Sequence, residues 1–359
     1  MRTDTSRLGP LGVSLVALTV TGIITAGALW VGGYSPASTL GSLIAGAFGS
    51  VDRFLSVTLV HAVPLTLTGL GVAVAFRAGV WNIGAEGQLY AGAVAGVWVG
   101  LHVGQLPSAI AIAMTLVAAG TAGSLWALVP AVMKLRLGVG EVISTILMNF
   151  VAINLVSYVV RWPLQEAGGV FPNTDMLAEG VRLSILVPGT RLHVGFALAL
   201  VLCLAFWAVF KFTAFGFSVR AIGASESAAR LSGRIDVPRL VLSTFLISGA
   251  LAGLAGGVEI SGRTFALYEG LSPGWGYTAI AVALLAGLNP IGVVFTGILF
   301  GALEGGAGAM QRDGGVPAAW VSGIEALVML TVLAVDQLAR RIRPAVIDAT
   351  REVPEVQRA

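Results

Sequence analysis

Ten long apolar segments dominate this chain, and mostly short polar connections separate them. They fall at residues 11–33, 55–76, 84–104, 107–131, 142–160, 192–212, 239–258, 275–288, 291–311 and 318–338. Hydrocarbon offers the backbone no hydrogen-bond partner, so such segments are expected to form helices. The pattern predicts an all-α integral membrane protein with about ten transmembrane helices. The 275–288 segment is too short to cross alone at about 1.5 Å per residue, so it is expected to be a half-helix, a tilted span or a continuation of its neighbour. The fold is therefore predicted to contain at least one broken or half helix.

Composition supports a lipid environment. Hydrophobic residues make up 56% of the chain and charged residues 11%, whereas a soluble domain carries roughly 25% charged residues. The 48 glycines are typical of closely packed membrane helices. Cys203 is the single cysteine, which excludes a disulfide framework and a cysteine-based metal site. The net charge of +3 does not indicate nucleic-acid binding, because the basic residues lie at segment ends.

The distribution of basic residues predicts the orientation. The apolar stretch after Arg2 and Arg7 is long enough to be an anchor, although Ala26-Gly27-Ala28 loosely resembles a signal-peptide cleavage site. Connections on the same side of the membrane as the amino terminus carry the larger share of the Lys and Arg residues. This distribution predicts a multi-pass protein of the cell (inner) membrane with both termini in the cytoplasm. One transmembrane domain is expected over 1–345, followed by a short cytoplasmic tail over 346–359.

Two connections are long. Residues 161–191 contain three prolines and are expected to form an external loop that can meet an extracellular partner. Residues 212–238 are internal and basic. Within them Ser225 can cap a helix, Glu226 and Arg230 form a favourable i,i+4 pair, and Gly233 can end the helix. The resulting two-turn helix is too short to be stable alone. It either rests against a partner or simply ends the loop.

Several motifs resemble permeases of the ribose, nucleoside and branched-chain amino-acid ABC importer superfamily. The stretches 220–223 and 228–233 resemble the loop that docks into the cytoplasmic ATPase of that superfamily. The stretches 76–88, 141–150, 276–285 and 289–292 resemble signatures of its nucleoside-type branch. The resemblance implies a mechanical role in coupling to the ATPase for residues Ser225, Glu226, Ala228, Ala229, Arg230, Leu231, Ser232 and Gly233.

The resemblance also implies the partners. They are a cytoplasmic ATPase, a second permease that is identical or homologous, and an extracellular or periplasmic substrate-binding protein. The substrate would be a nucleoside, or alternatively a simple sugar or other small polar solute. The chain has no phosphate-binding loop, since neither Lys134 nor Lys211 follows a glycine-rich turn. ATP and Mg are therefore expected on the partner ATPase, with no cofactor or metal bound by this chain.

Polar residues inside apolar segments are candidates for the substrate path, because ionisable groups there are costly and usually face the bundle interior. Asn82 and Glu86 are four positions apart and can share a helix face. The glycines around them permit a broken helix beside a polar cavity. Bracing of that break is the favoured role for Glu86. The candidate path residues are Asn82, Glu86, Gln88, Asn149, Asn154, Trp275, Tyr277 and Asn289.

Two other classes of function remain open. An ion-coupled secondary transporter would use Glu86, Glu304 and Glu325 as coupling carboxylates, and it predicts uptake that collapses with an uncoupler while ATP is held constant. A membrane-embedded enzyme would need a metal cluster or a nucleophile–base pair inside a span, and the sequence shows neither. The 212–238 loop favours the ABC permease, which is not itself an enzyme.

Overall fold

The computed structural model describes residues 10–317 and nine further positions, 320, 322–324, 326–327, 330–331 and 334. The chain divides into two compact units, one over 43–309 and one formed by the two ends of the chain. The predicted segment 318–338, Glu325 within it, and both termini lie largely or wholly outside the described residues. Regular structure in the described part is helical, with two isolated β-bridges.

Six helices in the described part are long and apolar enough to cross a membrane. They are α3 (Val51–Arg77), α5 (Ser108–Leu137), α6 (Glu141–Arg161), α7 (Gly195–Phe212), α10 (Val237–Thr264) and α12 (Pro290–Gly314). Both α3 and α10 contain a π-helical turn, at Phe54–Leu59 and Ile260–Thr264. Such turns are rare and are frequent at functional sites.

Six other α-helices have defined bounds in the described part of the chain, which also contains a 3-10 turn at Glu179–Val181. They are α1 (Pro10–Val31), α2 (Pro36–Phe48), α4 (Ala85–Val103), α8 (Ala214–Ala224), α9 (Glu226–Leu231) and α11 (Trp275–Leu285). The short 275–288 segment is indeed a short helix, and the break before Pro290 lies where Asn289-Pro290 predicts it. Helices α2 and α8 were not predicted, because 36–48 and 214–224 mix small and polar residues with apolar ones.

Helices α3 and α10 form the centre of the 43–309 unit. Their apolar windows are 89% and 67% buried, whereas only 22% of the window is buried in α5 and in α7. Helix α10 packs against α3, α4 and α5. Glycines allow this close approach, since a β-carbon on Gly92 of α4 would collide with the carbonyl oxygen of Gly253 in α10. The abundance of glycine therefore has the packing role that composition predicts.

The long connection between α6 and α7 is ordered by backbone pairing rather than by secondary structure. Its Thr174 and Leu183 amides donate to the carbonyl oxygens of Leu267 and Ser261, at 2.9 and 2.8 Å. At its start Arg161 forms a two-bond ion pair with Glu269, at 2.7 and 2.9 Å. The connection is thereby fixed on the segment that leads from α10 into α11.

Candidate functional site

The α3–α4 connection holds a buried amide network. Asn82 is fully buried, and its amide exchanges two 3.0 Å hydrogen bonds with Gln88. Asn82 also donates to the Ser248 hydroxyl of α10 at 2.9 Å and accepts from the Gly84 amide at 3.0 Å. Helix α4 begins at Ala85, so the expectation that Asn82 shares a helix face with Glu86 is wrong. Asn82 instead satisfies backbone and side-chain groups where the chain is not helical.

Asn149 of α6 also binds the backbone at the α3–α4 connection. Its Oδ1 accepts from the Gly87 amide at 2.8 Å, and its Nδ2 donates to the Ile83 carbonyl at 2.9 Å. The same Nδ2 donates to the Tyr277 hydroxyl of α11 at 3.2 Å. Asn149 is fully buried, whereas Tyr277 is 36% exposed. Tyr277 is therefore the path candidate of this pair with surface available to a solute.

Glu86 joins the first turns of two helices. It lies in the first turn of α4, is 2% exposed, and accepts from the Gly276 amide in the first turn of α11 at 2.6 Å. The helices are so close that a β-carbon on Gly276 would collide with the Glu86 backbone. Helix amino termini carry partial positive charge and unpaired N–H groups. A carboxyl group at this junction stabilises both ends.

Trp275 anchors α11 to two further helices. Its indole Nε1 lies 2.7 and 2.8 Å from the two carboxylate oxygens of Glu304 on α12. The Arg263 guanidinium, on the π-helical turn of α10, lies 5.7 Å from the centre of the Trp275 ring. Arg263 also pairs with the buried Glu259 at 2.9 Å. The first turn of α11 thus meets α4, α6, α10 and α12.

Sequence reasoning did not select Glu259 and Arg263 as site residues. Glu259 falls just beyond the predicted 239–258 segment, and Arg263 lies in the connection that follows that segment. Their i,i+4 spacing at the end of an apolar segment is the signal that identifies them. The π-helical turn that aims Arg263 at Trp275 has no sequence signal that we recognise.

Two predicted path residues lie apart from this cluster. Asn154 is exposed, and its amide donates to the Phe150 carbonyl one turn earlier at 2.7 Å. Asn289 is exposed, and its Oδ1 accepts from the Ile291 amide at 3.0 Å in the first turn of α12. Their described partners are local backbone groups.

The 212–238 loop contains the expected short helix. Helix α9 spans Glu226–Leu231, the Ser225 hydroxyl accepts from the Ala228 amide at 3.2 Å, and Glu226 pairs with Arg230 at 2.8 Å. Gly233 has a φ of +64°, as its predicted role at the helix end requires. Leu231 is 88% exposed. The docking role of this surface stays a prediction.

Helix α8, the first helix of the 212–238 loop, contacts the end of α3, where the connection to α4 begins. A β-carbon on Gly223 of α8 would collide with the Arg77 carbonyl oxygen at the end of α3. Arg77 and Arg220 both contact Phe210 of α7. The Arg77 guanidinium lies 4.8 Å from the centre of the Phe210 ring, and the Arg220 side chain donates to the Phe210 carbonyl oxygen. Movement of α8 would therefore act directly on the segment that leads to Asn82.

Comparison with known proteins assigns the family. Residues 54–333 match the family described as branched-chain amino acid transport system, permease component. The chain belongs to this family. It is 37% identical to the guanosine ABC transporter permease protein of Bacillus subtilis over 91% of this chain and 94% of that protein. It is also 37% identical to the glucose ABC transporter permease protein of Haloferax volcanii, over 90% and 83% of the two chains.

A third relative is the nucleoside ABC transporter permease protein of Lactococcus lactis, 29% identical over 84% of each chain. Family membership and the six long apolar helices together make this chain a multi-pass membrane protein of a transport system. The resemblance inferred from the sequence motifs is confirmed. The roles of individual residues rest on the geometry described above.

Proposed function

We propose that this chain is a permease subunit of an ABC importer for nucleosides. It works by alternating access, driven by a separate ATPase that uses ATP and Mg, and pairs with a second permease and a substrate-binding protein. Support comes from the two relatives named for guanosine and nucleosides. In this proposal about ten helices span the inner membrane, both termini are cytoplasmic, and the chain itself catalyses no reaction.

The observation that carries the mechanism is the exposed helix α9 with its direct route to the centre. Leu231 presents an apolar side chain to the surroundings, which suits a groove on a partner protein. The route passes through α8 and the Gly223–Arg77 contact to the amide network at Asn82. It continues through Glu86 to the first turn of α11. The Gly223–Arg77 and Glu86–Gly276 steps are direct contacts, and the chain itself joins Arg77 to Asn82 and Asn82 to Glu86. Such a connected series of contacts and short chain segments is what mechanical transmission requires.

The test is nucleoside uptake by the complete importer in proteoliposomes. Leu231→Ala is expected to lower uptake per ATP hydrolysed at least severalfold while the complex still forms. Leu137→Ala is the matched control, because Leu137 is a 71% exposed leucine at the end of α5. Uptake that continues without ATP but stops when the ion gradient is collapsed would refute the ABC mechanism and support a secondary transporter.

A sugar importer is the second candidate. It is favoured by one observation, the 37% identity to the glucose permease protein of Haloferax volcanii. Competition separates the two candidates in the same assay. Excess unlabelled glucose should leave the uptake of labelled guanosine unchanged if the substrate is a nucleoside, and labelled glucose should not accumulate.

A further inference from the structure

The long connection between α6 and α7 carries a small open cavity. Its volume is about 340 Å³, and it is lined by Phe171, Pro172, Asn173, Ala266, Tyr268 and Glu269. An antiparallel bridge between Asn173 and Tyr268 joins its two sides. In the proposed orientation this connection faces the external medium. A cavity of this size suits one long side chain rather than a helix, which is about 10 Å across.

Aromatic surface is exposed at the cavity. Phe171 is 65% exposed, Tyr268 is 36% exposed, and Val170 beside Phe171 is 73% exposed. Apolar patches outside the membrane often mark contacts with other proteins. Aromatic faces also attract cations, and the aliphatic stems of lysine and arginine pack well on apolar surface. The lining therefore suits a side chain with an apolar stem and a cationic end.

Glu166 places a carboxylate beside this aromatic surface. Its Oε1 accepts from the Phe171 amide at 3.3 Å, and its Oε2 accepts from the Asn173 side chain at 3.0 Å. The Oδ1 of Asn173 is buried and has no hydrogen-bond partner among the described residues. Unsatisfied buried acceptors are costly, so an occupant with N–H donors would offer this oxygen a partner.

The remaining charges leave the cavity negative. Asp175 is exposed, follows Asn173 by two positions, and accepts from the Ala167 amide at 3.3 Å. In the part of the chain that the structure describes, neither Glu166 nor Asp175 has an ion-pair partner, whereas Glu269 is neutralised by Arg161. Two uncompensated carboxylates beside aromatic surface favour a cationic partner group.

We propose that this cavity is the docking point for a lysine or arginine of the external substrate-binding protein. The aliphatic stem of that side chain packs on Phe171 and Tyr268, and its charged end lies at Glu166 and Asp175. Docking at this point can be felt inside the protein, because the same connection is paired through its backbone with residues 261–267, which lead towards α11. This inference rests on the proposed function and assigns the surface that this partner uses.

The test is a titration of the guanosine-loaded substrate-binding protein against proteoliposomes that contain the rest of the importer, read as uptake of labelled guanosine. Glu166→Gln and Asp175→Asn should each raise the binding-protein concentration for half-maximal uptake about twofold to fivefold, as expected for exposed ion pairs. Phe171→Ala should raise it at least about fivefold, because it removes the main apolar contact. Uptake at saturating binding protein should be retained in all three variants.

Two matched controls lie on the same connection but do not line the cavity. Glu179→Gln removes an exposed carboxylate, and Ile185→Ala removes a 58% exposed apolar side chain. Both should leave the half-maximal concentration unchanged. In the wild type this concentration should rise between about 0.05 and 0.5 M salt, because salt screens exposed charges. Copurification of the partner subunits reports assembly, and the salt response of the wild type decides the matter if a variant does not assemble.

Unchanged half-maximal concentrations in all three cavity variants, or a wild-type titration that does not respond to salt, would overturn the inference and leave nucleoside import intact. If the variants instead lower uptake equally at every binding-protein concentration, the cavity does not dock this partner. Dependence of that loss on phosphatidylethanolamine would then assign the cavity to a lipid headgroup. Absence of ATP-dependent uptake of any nucleoside by the wild type would refute the proposed function, and this inference with it.

Discussion

Substitution of Glu86 gives the sharpest test of how the first turns of α4 and α11 are joined. Its carboxyl group accepts from the Gly276 amide at 2.6 Å, and both residues are buried. In Glu86→Ala the amide loses this acceptor, and an unsatisfied buried N–H costs about 1–3 kcal/mol. The cavity left by the removed side-chain atoms adds to that cost. Glu86→Gln keeps an oxygen acceptor and should lose about 1 kcal/mol or less, mainly through the weaker interaction with the two helix amino termini.

The assay is thermal unfolding of the detergent-purified permease complex, together with nucleoside uptake. Stability should fall in the order wild type, Glu86→Gln, Glu86→Ala, and uptake should fall in the same order. Glu179→Gln is the control, because Glu179 is an exposed glutamate and its substitution should leave both quantities unchanged.

Two results would refute this reasoning. If Glu86→Ala unfolds at the wild-type temperature, the Gly276 contact contributes no stability. If Glu86→Gln keeps full stability but raises the nucleoside concentration needed for half-maximal uptake, Glu86 touches the substrate rather than bracing α11.

Three further predictions concern single residues. Gly276→Ala should abolish transport by displacing α11. Gly140→Ala is the control and should leave transport intact, because a β-carbon there meets open space. Expression and copurification of the partner subunits show whether each variant folds and assembles. Tyr277→Phe removes the hydroxyl that accepts from Asn149 at 3.2 Å, so stability should fall by about 1 kcal/mol or less in thermal unfolding. Burial lowers the pKa of His193 to about 4, so His193 stabilises the fold above its ordinary pKa, and that contribution is lost as the pH falls from about 6.5 to 4. Between pH 6.5 and 4, the melting temperature of His193→Asn should therefore change less with pH than that of the wild type.

The hydrophobic pattern predicted most of the helices because burial in lipid requires continuous apolar segments. Each of the nine predicted segments up to residue 311 coincides with a described helix. Local capping chemistry was equally predictable, since the Ser225 cap and the Glu226–Arg230 pair depend only on neighbours in sequence. Helices α2 and α8 were missed because their composition does not separate them from connections.

The partners across the site could not be predicted, because they depend on packing between distant segments. The sequence identified Glu86 and Trp275 as candidates but not the contacts with Gly276 and Glu304, which lie 190 and 29 residues away along the chain. The four-residue spacing between Asn82 and Glu86 predicts that both lie on one helix face. The structure gives Asn82 a different role, since its Oδ1 accepts from the Gly84 amide and its Nδ2 donates to the Gln88 side chain.

The first turn of α11 explains how a short helix is accommodated inside the 43–309 unit. Eleven residues at about 1.5 Å each cannot cross a bilayer, so the amino-terminal N–H groups of α11 must find partners inside the protein. Glu86 supplies one acceptor from α4, and the Ser272 hydroxyl accepts from the Trp275 amide at 2.9 Å. The amino-terminal end of α11 is stable only while these acceptors stay within hydrogen-bonding distance of its amides. If α8 moves the α3–α4 break through its contact with Arg77, the acceptor from Glu86 moves with it. In the proposed mechanism, opening and closing of the substrate path would then require no change within α11 itself, only a change in which groups contact its first turn.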